Sequence, residues 1–257
     1  MARVTLLTDF GTRDGYVGAM KGVLASLMPD LILDDISHDI PPGDIRKAAA
    51  VLARVWQNFP AGTVHLVVVD PGVGTQRRGL ALEVGGQSFV APDNGVLSRV
   101  MASSSEPVCV KLLPSARLSP PVSTTFHGRD LFAPAAGLLA RGTPLQELGP
   151  PLTDPVRLNL PEAPLQSGSR EGEIVEVDRF GNLATNLPLS DVERAGGVMV
   201  SQRQVPFRRT YGDVPSGRLV SVLNSDGLVE IAVRDGSAEE RLGVGLGGTV
   251  RVGDEGG

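Results

Sequence analysis

One apolar run indicates the fold: Val64-His65-Leu66-Val67-Val68-Val69, which ends at Asp70-Pro71-Gly72. A continuous run of β-branched and aliphatic residues is typical of a strand buried on both faces of a parallel sheet. The Pro-Gly pair signals a turn, so the strand ends at Asp70. We therefore predict a central parallel strand over 64–69, with His65 packed inside it as a structural residue.

Strand and helix patterns alternate before this run. Apolar residues recur at helical spacing over 16–28 and 45–59, and short aliphatic runs over 4–8 and 31–36 have strand character. Together with the run over 64–69, these segments have the order βαβαβ. This order predicts a parallel sheet that is covered by helices on both faces.

The segments after the run complete an N-terminal α/β domain, predicted over 1–155. A hairpin is expected over 80–90, and helices over 96–101 and 131–141. Repeated prolines and a Gln-Ser-Gly-Ser sequence then give residues 156–170 the composition of a linker.

The remaining residues, 171–257, have the pattern of a second, smaller domain. Short strands alternate with turns, which is typical of a barrel-like β fold. The predicted strands are 173–177, 197–200, 219–223, 228–233 and 249–252.

The composition disfavours binding to nucleic acids and to membranes. The chain has 257 residues, more than the common domain size of about 100–150, which agrees with two domains. Its net charge of -5 argues against a polyanion-binding surface, and no apolar stretch approaches the roughly 18–20 residues that span a bilayer. The single cysteine, Cys109, cannot form an intrachain disulfide, so a cytoplasmic location is expected.

Acidic residues follow the predicted parallel strands. Asp9, Asp39 and Asp70 lie at or just beyond the ends of the first three strands, and Asp14 is five positions after Asp9. Ligands of open α/β sheets bind beyond the carboxyl ends of the strands, so these carboxylates are expected at a site. Alternatively, each Asp caps the turn or helix that follows it.

A second polar cluster precedes the helix predicted over 131–141. It reads Thr124-Thr125-Phe126-His127-Gly128-Arg129-Asp130, and an exposed His at a helix start is better placed for function than for core filling. The sequence Gly72-Val73-Gly74 is only a weak indication of phosphate binding, because no Walker lysine accompanies it.

Five ordered motifs resemble those of a known family. They are Thr8-Asp9-Phe10-Gly11-x-x-Asp14, Asp70-Pro71-Gly72-Val73-Gly74-Thr75-x-Arg77, Ala91-Pro92-Asp93-Asn94-Gly95, Thr125-Phe126-His127-Gly128-Arg129-Asp130 and Asp178-x-Phe180-Gly181-Asn182-Leu183-x-Thr185-Asn186. Together they closely resemble the S-adenosyl-L-methionine (SAM) hydroxide adenosyltransferases, or SAM hydrolases, which are relatives of the fluorinating and chlorinating enzymes. The resemblance extends from Thr5 to about Gly236.

The resemblance implies a Rossmann-like N-terminal domain, a C-terminal β-barrel and a homotrimer. In such a trimer, SAM binds between one subunit's N-terminal domain and a neighbour's C-terminal domain. The implied reaction converts SAM and water to adenosine and L-methionine. Asp70, Arg77 and His127 match the family's catalytic positions. The positions matched to substrate binding are Asp9, Asp14, Asp178, Phe180, Asn182 and Ser225.

Two residues depart from the family pattern. Arg234 stands in a segment where the family usually has Asn, which affects one expected contact to adenine. Asp226 stands at a position that is basic in the halogenating branch.

The chemistry of SAM sets what these residues must do. Displacement at C5′ releases a neutral thioether, so the leaving group needs no general acid, metal or cofactor. Full deprotonation of water by a carboxylate of pKa about 3.9 is uphill by roughly 16 kcal/mol, and Arg77 is expected to lower the pKa of Asp70 further. We therefore expect neutral water to attack and Asp70 to accept the proton late. Arg77 orients Asp70, while His127 holds the water or passes on its proton.

Two other classes of function stay open from the residues alone. A metal-dependent phosphohydrolase would bind Mg²⁺ with the Asp cluster, although the sequence has no phosphate loop. A non-catalytic SAM- or adenosine-binding module would keep the fold without the chemistry. The presence of Asp70, Arg77 and His127 together disfavours this second alternative.

Overall fold

A computed structural model describes residues 1–114, 118–161 and 164–253. The chain divides into two units, Met1–Leu158 and Asn159–Gly257. Residues 162–163 of the predicted linker and 254–257 of the predicted second domain lie outside the described residues.

The first unit contains a six-stranded sheet and four α-helices. Its strands are β1 (Arg3–Thr8), β2 (Ile32–Ser37), β3 (Val64–Val68), β4 (Gly79–Val84), β5 (Gln87–Pro92) and β6 (Val108–Leu112). Its helices are α1 (Tyr16–Leu27), α2 (Ile45–Val55), α3 (Ser98–Ala102) and α4 (Ala133–Ala140). Short 3₁₀ turns lie at Trp56–Asn58 and Leu145–Leu148, and a π-helical turn, Gly128–Phe132, leads into α4.

The strands of this sheet are arranged in the order β2-β1-β3-β5-β4-β6. Strand β1 is parallel to β2 and β3, and β3 is parallel to β5, whereas β4 is antiparallel to β5 and β6. Adjacent residues of β1 point to opposite faces: Leu6 packs in one core with Leu24 of α1, and Leu7 packs in another with Leu52 of α2. The predicted parallel core with helices on both faces is therefore confirmed.

The second unit is a nearly closed, barrel-like antiparallel sheet. Its strands are β7 (Glu171–Val177), β8 (Leu183–Thr185), β9 (Gly197–Val200), β10 (Arg203–Pro206), β11 (Leu219–Leu223), β12 (Val229–Val233) and β13 (Thr249–Val252). Helices α5 (Leu189–Ala195) and α6 (Ala238–Leu242) and a 3₁₀ turn, Tyr211–Asp213, interrupt them. The strand order is β10-β9-β13-β7-β8-β12-β11, and a single bridge between Phe207 and Ser221 links the ends of this series. The predicted β-barrel is confirmed.

His65 is the packed strand residue that the sequence predicted. It is fully buried, its Nδ1 lies 2.8 Å from the Thr5 hydroxyl, and its Nε2 lies 2.5 Å from the Gln87 side-chain oxygen. Its ring stacks on Phe89 at 4.8 Å between centroids. Burial lowers the pKa of His65 to about 4, so the ring is neutral at physiological pH.

Several short elements were not predicted from the sequence, namely β6, β8, β10, α5 and α6. They span between three and seven residues, which is too short for a periodic pattern to emerge. No helix in the described part of the chain is long and apolar enough to cross a membrane.

Candidate active site

Asp70 and Arg77 form a buried ion pair beyond the carboxyl end of β3. Arg77 Nε donates to Asp70 Oδ1 at 3.0 Å, and Arg77 Nη2 donates to Asp70 Oδ2 at 2.5 Å. The two side chains are only 4% and 8% exposed. A two-point contact of this kind fixes the plane of the carboxylate as well as its position.

The same guanidinium holds His127, which lies 50 residues further along the chain. Arg77 Nη2 is 3.0 Å from His127 Nδ1, Arg77 Nη1 donates to the Arg78 carbonyl at 3.1 Å, and the guanidinium lies over the Phe132 ring at 5.1 Å. Arginine can only donate, so His127 Nδ1 must accept. The proton of the neutral His127 ring therefore resides on Nε2.

The electrostatics of the site shift the pKa values of Asp70 and His127 in opposite directions. Burial raises the pKa of the Asp70 carboxyl, and this effect exceeds the opposing effects of Arg77, His127 and the Gly72 backbone. The sequence-based expectation of a lowered pKa at Asp70 was therefore wrong in its net direction, because it counted the charge of Arg77 and omitted burial. Burial and the charge of Arg77 lower the pKa of His127, which keeps its ring neutral.

The loop after β3 is shaped by its glycines and by Thr75. The Thr75 hydroxyl donates to the Gly72 carbonyl at 2.7 Å, and the Val73 amide donates to the Asp70 carbonyl at 3.2 Å. Gly74 has φ +78°, and a Cβ there would lie 2.8 Å from the carbonyl oxygen of Thr124. Only glycine allows this approach, which brings the loop after β3 against the segment that carries His127.

His127 lies at the start of the π-helical turn that precedes α4. The next residue, Gly128, is packed so closely that a Cβ would lie 3.2 Å from Met20 Sδ, 3.2 Å from the Phe126 ring and 3.4 Å from the Phe10 ring. Single π-helical turns occur often at functional sites. This turn replaces the start of the helix predicted over 131–141.

Three aromatic rings form a cluster beside this turn. The ring centroids are 5.8 Å apart for Phe10 and Tyr16, 6.1 Å for Phe10 and Phe126, and 5.1 Å for Tyr16 and Phe126. Sequence reasoning assigned no role to these rings, although Phe10 and Phe126 lie inside two of the motifs. Their position gives the site an apolar wall next to its polar groups.

Asp9 lies close to the loop that carries Asp70. Asp9 Oδ2 accepts the Gly43 amide at 2.8 Å, and a Cβ at Gly43 would lie 3.7 Å from Pro71. By contrast, Asp14 and Asp39 are exposed. The alternative expectation of a turn-stabilising role therefore applies in part to Asp9, whose carboxylate holds the loop before α2.

In the second unit, the Asp178 carboxylate organises its own turn. Oδ1 accepts the Phe180 amide at 2.8 Å and the Asn182 amide at 2.9 Å, and Oδ2 accepts Asn182 Nδ2 at 3.0 Å. Phe180 is 75% exposed at the tip of this turn, and Ser225 is exposed in a separate turn before β12. A large exposed apolar ring on a rigid turn is suited to binding another surface or a ligand.

The two departures from the family pattern have structural partners. Arg234 Nη1 donates to the carbonyl oxygens of Gly212 at 3.1 Å and Val214 at 2.7 Å, so its side chain holds the segment around the Tyr211–Asp213 turn. The Asp226 amide donates to Asn224 Oδ1 at 3.0 Å.

The described residues contain no group of three His, Cys, Asp or Glu side chains arranged to hold a metal ion. The polar groups that do come together in the first unit are a carboxylate, a guanidinium and a neutral imidazole. This set can orient a small polar molecule and accept a proton from it.

The parallel sheet, the barrel-like unit and the cluster of Asp70, Arg77 and His127 define a two-unit α/β protein with a polar site beyond its parallel strands. Models of the SAM hydroxide adenosyltransferase N-terminal and C-terminal domains match residues 4–149 and 172–251. The chain therefore belongs to the SAM hydroxide adenosyltransferase family.

Individual proteins show the same relationship. The (R)-S-adenosyl-L-methionine hydrolase of Thermus thermophilus is 44% identical over 260 residues, a match that covers 98% of this chain and 100% of the relative. A fluorinase of an Actinoplanes species is 28% identical over 267 residues, covering 89% of this chain and 90% of the relative. Among solved structures, an uncharacterized conserved protein from Thermotoga maritima superimposes with a TM-score of 0.87 at 35% identity, covering 96% and 99% of the two chains.

Proposed function

We propose that this protein hydrolyses SAM to adenosine and L-methionine, by attack of water at the ribose C5′ with sulfur as the leaving group. The observation that carries the proposal is the buried pair of Asp70 and Arg77 with the half-buried His127 beside it, in a chain that belongs to the SAM hydroxide adenosyltransferase family. The relatives named as SAM hydrolases support the same assignment over nearly the full length of the chain.

Asp70 is the proton acceptor in this mechanism. Each of its oxygens takes one hydrogen bond from Arg77, and a carboxylate oxygen has a second lone pair with which to hold a water molecule. The water attacks C5′ while it is still neutral, and the forming oxonium transfers its proton to Asp70. The raised pKa of Asp70 makes the carboxylate a better acceptor than an exposed one.

Arg77 and His127 complete the arrangement of the water. Four of the five N–H donors of Arg77 go to protein acceptors, so its role is to position Asp70 and His127. The protonated Nε2 of His127 can donate a hydrogen bond to the oxygen of the attacking water. Restricting the water to a line opposite sulfur supplies much of the remaining rate enhancement.

Substrate binding is assigned to the carboxylates and to residues of the second unit. Asp9 binds the ribose hydroxyls and Asp14 lies beside the sugar and amino-acid portions, where their charges attract the cationic sulfonium. Asp178, Phe180, Asn182 and Ser225 bind methionine and adenine. The exposed Phe180 ring on its rigid turn supports this role.

The proposed assembly is a cytoplasmic homotrimer. One subunit's first unit and a neighbour's second unit form each active site, so the substrate is enclosed between chains. SAM is the substrate, and the reaction uses no cofactor and no metal, because the sulfonium leaves without a Lewis acid.

The deciding experiment is incubation with SAM in ¹⁸O-labelled water, followed by mass spectrometry of the products. We expect adenosine labelled at its 5′ oxygen, together with unlabelled methionine. Release of adenine, or label at another carbon, would contradict attack at C5′. An Asp70→Ala variant measured in parallel controls for spontaneous breakdown of SAM.

A further inference from the structure

Glu230 is a buried carboxylate without a cationic partner. It lies on β12 and is 7% exposed, and no Lys, Arg or His of the described residues forms an ion pair with it. A carboxylate in such a place must be stabilised by hydrogen bonds. Tyr211 Oη donates to Glu230 Oε1 at 2.6 Å, and Asn224 Nδ2 donates to Glu230 Oε2 at 3.1 Å.

The Tyr211 hydroxyl acts as a hydrogen-bond donor to Glu230 in this network. Burial, the hydrogen bond to Glu230 and the charges of Glu230 and Asp178 raise the pKa of the Tyr211 hydroxyl above its ordinary value. The hydroxyl therefore keeps its proton.

Asn224 forms hydrogen bonds both to Glu230 and to the backbone of a second turn. Because Asn224 Nδ2 points to Glu230, its Oδ1 faces the turn and accepts the amides of Asp226 and Leu228, both at 3.0 Å. The Asn224 amide also donates to the Leu228 carbonyl at 2.9 Å. These bonds fix the turn that presents the exposed Ser225.

We propose that Tyr211, Glu230 and Asn224 are positioning residues that hold the Ser225 turn in the shape that binds SAM. A carboxylate accepts only, so Glu230 permits a single orientation of the Asn224 amide. Without it, Asn224 Nδ2 has no acceptor in this network, and the Asn224 side chain is held only by the two hydrogen bonds that its Oδ1 accepts from the turn. This inference rests on the proposed function, because it takes Ser225 to be a substrate-binding residue.

The test compares two substitutions of the same side chain. Glu230→Leu removes both acceptors, so we expect the Kd for SAM to rise about tenfold while bound substrate is still converted. Glu230→Gln can accept from Asn224 with its oxygen and donate to Tyr211 with its NH₂ group, so it should restore the Kd to within about threefold of wild type.

Asp191→Leu is the matched control for loss of a buried carboxylate. Asp191 is also 7% exposed and lies in the same unit, but it accepts the Gly168 amide at 2.5 Å and has no contact with Asn224. We expect this variant to lose stability without a change in the Kd for SAM. An equal rise in Kd for Asp191→Leu and Glu230→Leu would show a general effect of unfolding and overturn the inference.

Titration calorimetry with SAM and amide hydrogen exchange over residues 225–228 separate the two proposals. We expect faster exchange there in Glu230→Leu and not in Glu230→Gln. A Glu230→Leu variant with wild-type Kd and wild-type exchange would overturn the positioning role alone. A wild-type protein that binds SAM without releasing adenosine would contradict the proposed function alone.

Discussion

At the scale of single residues, Arg77 sets the orientation and affects the pKa of the two groups that can accept a proton, Asp70 and His127. It donates to Asp70 and to His127, so both groups present acceptors to it, and its charge acts to lower the pKa of each. One guanidinium thus balances one carboxylate, and the imidazole adds no charge. A cationic sulfonium can therefore enter without facing an excess of positive charge from these three groups.

We expect Asp70→Asn to lower kcat at least 100-fold while the Kd for SAM changes little, because general-base contributions are typically about 10²–10⁴-fold. Asn has the size of Asp, but it cannot accept the proton or balance Arg77. Single-turnover kinetics and calorimetry separate the two effects.

Asp93→Asn is the matched control for this prediction. Asp93 is also buried and pairs with a neighbouring arginine, Arg78, at 2.7 Å. We expect the Asp93→Asn variant to have a lower free energy of unfolding and a wild-type kcat. A wild-type kcat in Asp70→Asn would leave Asp70 as a turn residue only.

The pH profile of kcat should be flat near neutrality and fall on acidification. Asp70 acts as a carboxylate, and burial raises its pKa, so activity is lost at a higher pH than an ordinary carboxyl of pKa 3.8 would give. The pKa of His127 is lowered from 6.5, so His127 also becomes protonated only at acidic pH. A His127→Asn variant should keep the acid limb, because Asp70 still titrates. Activity that increases with acidification would exclude Asp70 as the base.

At the scale of elements, the sequence predicts strands and helices whose residue pattern is continuous along the chain. It does not predict contacts between residues that lie far apart in the sequence. Strand β3 was evident because its apolar residues are consecutive, whereas β8 has three residues and carries no pattern. The pairing of Arg77 with His127 depends on two loops that meet through Gly74, and no spacing within either loop encodes that contact. His127 was assigned through resemblance to a family. The Tyr16 ring was missed because Tyr16 lies outside the motifs, at the start of α1.

Gly74→Ala should disturb the site through the contact between these two loops. A residue other than Gly in the left-handed region costs about 1–2 kcal/mol, and here the new Cβ would also meet the Thr124 carbonyl at 2.8 Å. Gly142 has φ +87° with no atom within 4 Å of a Cβ, so Gly142→Ala carries the conformational cost alone. We expect the free energy of unfolding to decrease in both variants, and kcat to decrease only in Gly74→Ala. Equal kcat values would mean that the loop contact does not position His127.

At the scale of the whole molecule, the chemistry and the donor set both predict activity without a metal. The leaving sulfur is neutral, and the described residues bring together one carboxylate, one guanidinium and one imidazole, with no group of three His, Cys, Asp or Glu side chains arranged to hold a metal ion. We expect SAM cleavage to be unchanged after dialysis against EDTA, measured as adenosine release. Loss of activity that Mg²⁺ restores would favour the phosphohydrolase alternative.

The proposed trimer makes a stricter prediction, because each site needs a first unit and a second unit from different chains. Asp70→Ala inactivates the first unit's part of the site, and Asp178→Ala removes the carboxylate that shapes the Phe180 turn in the second unit. In trimers mixed at equal amounts, about a quarter of the sites combine an intact first unit with an intact second unit. Mixing the two inactive variants should therefore restore about a quarter of wild-type activity. Mixing Asp178→Ala with the double variant, which offers no intact second unit, should restore none. If subunit exchange is verified by mass spectrometry and activity still does not return, each site lies within one chain.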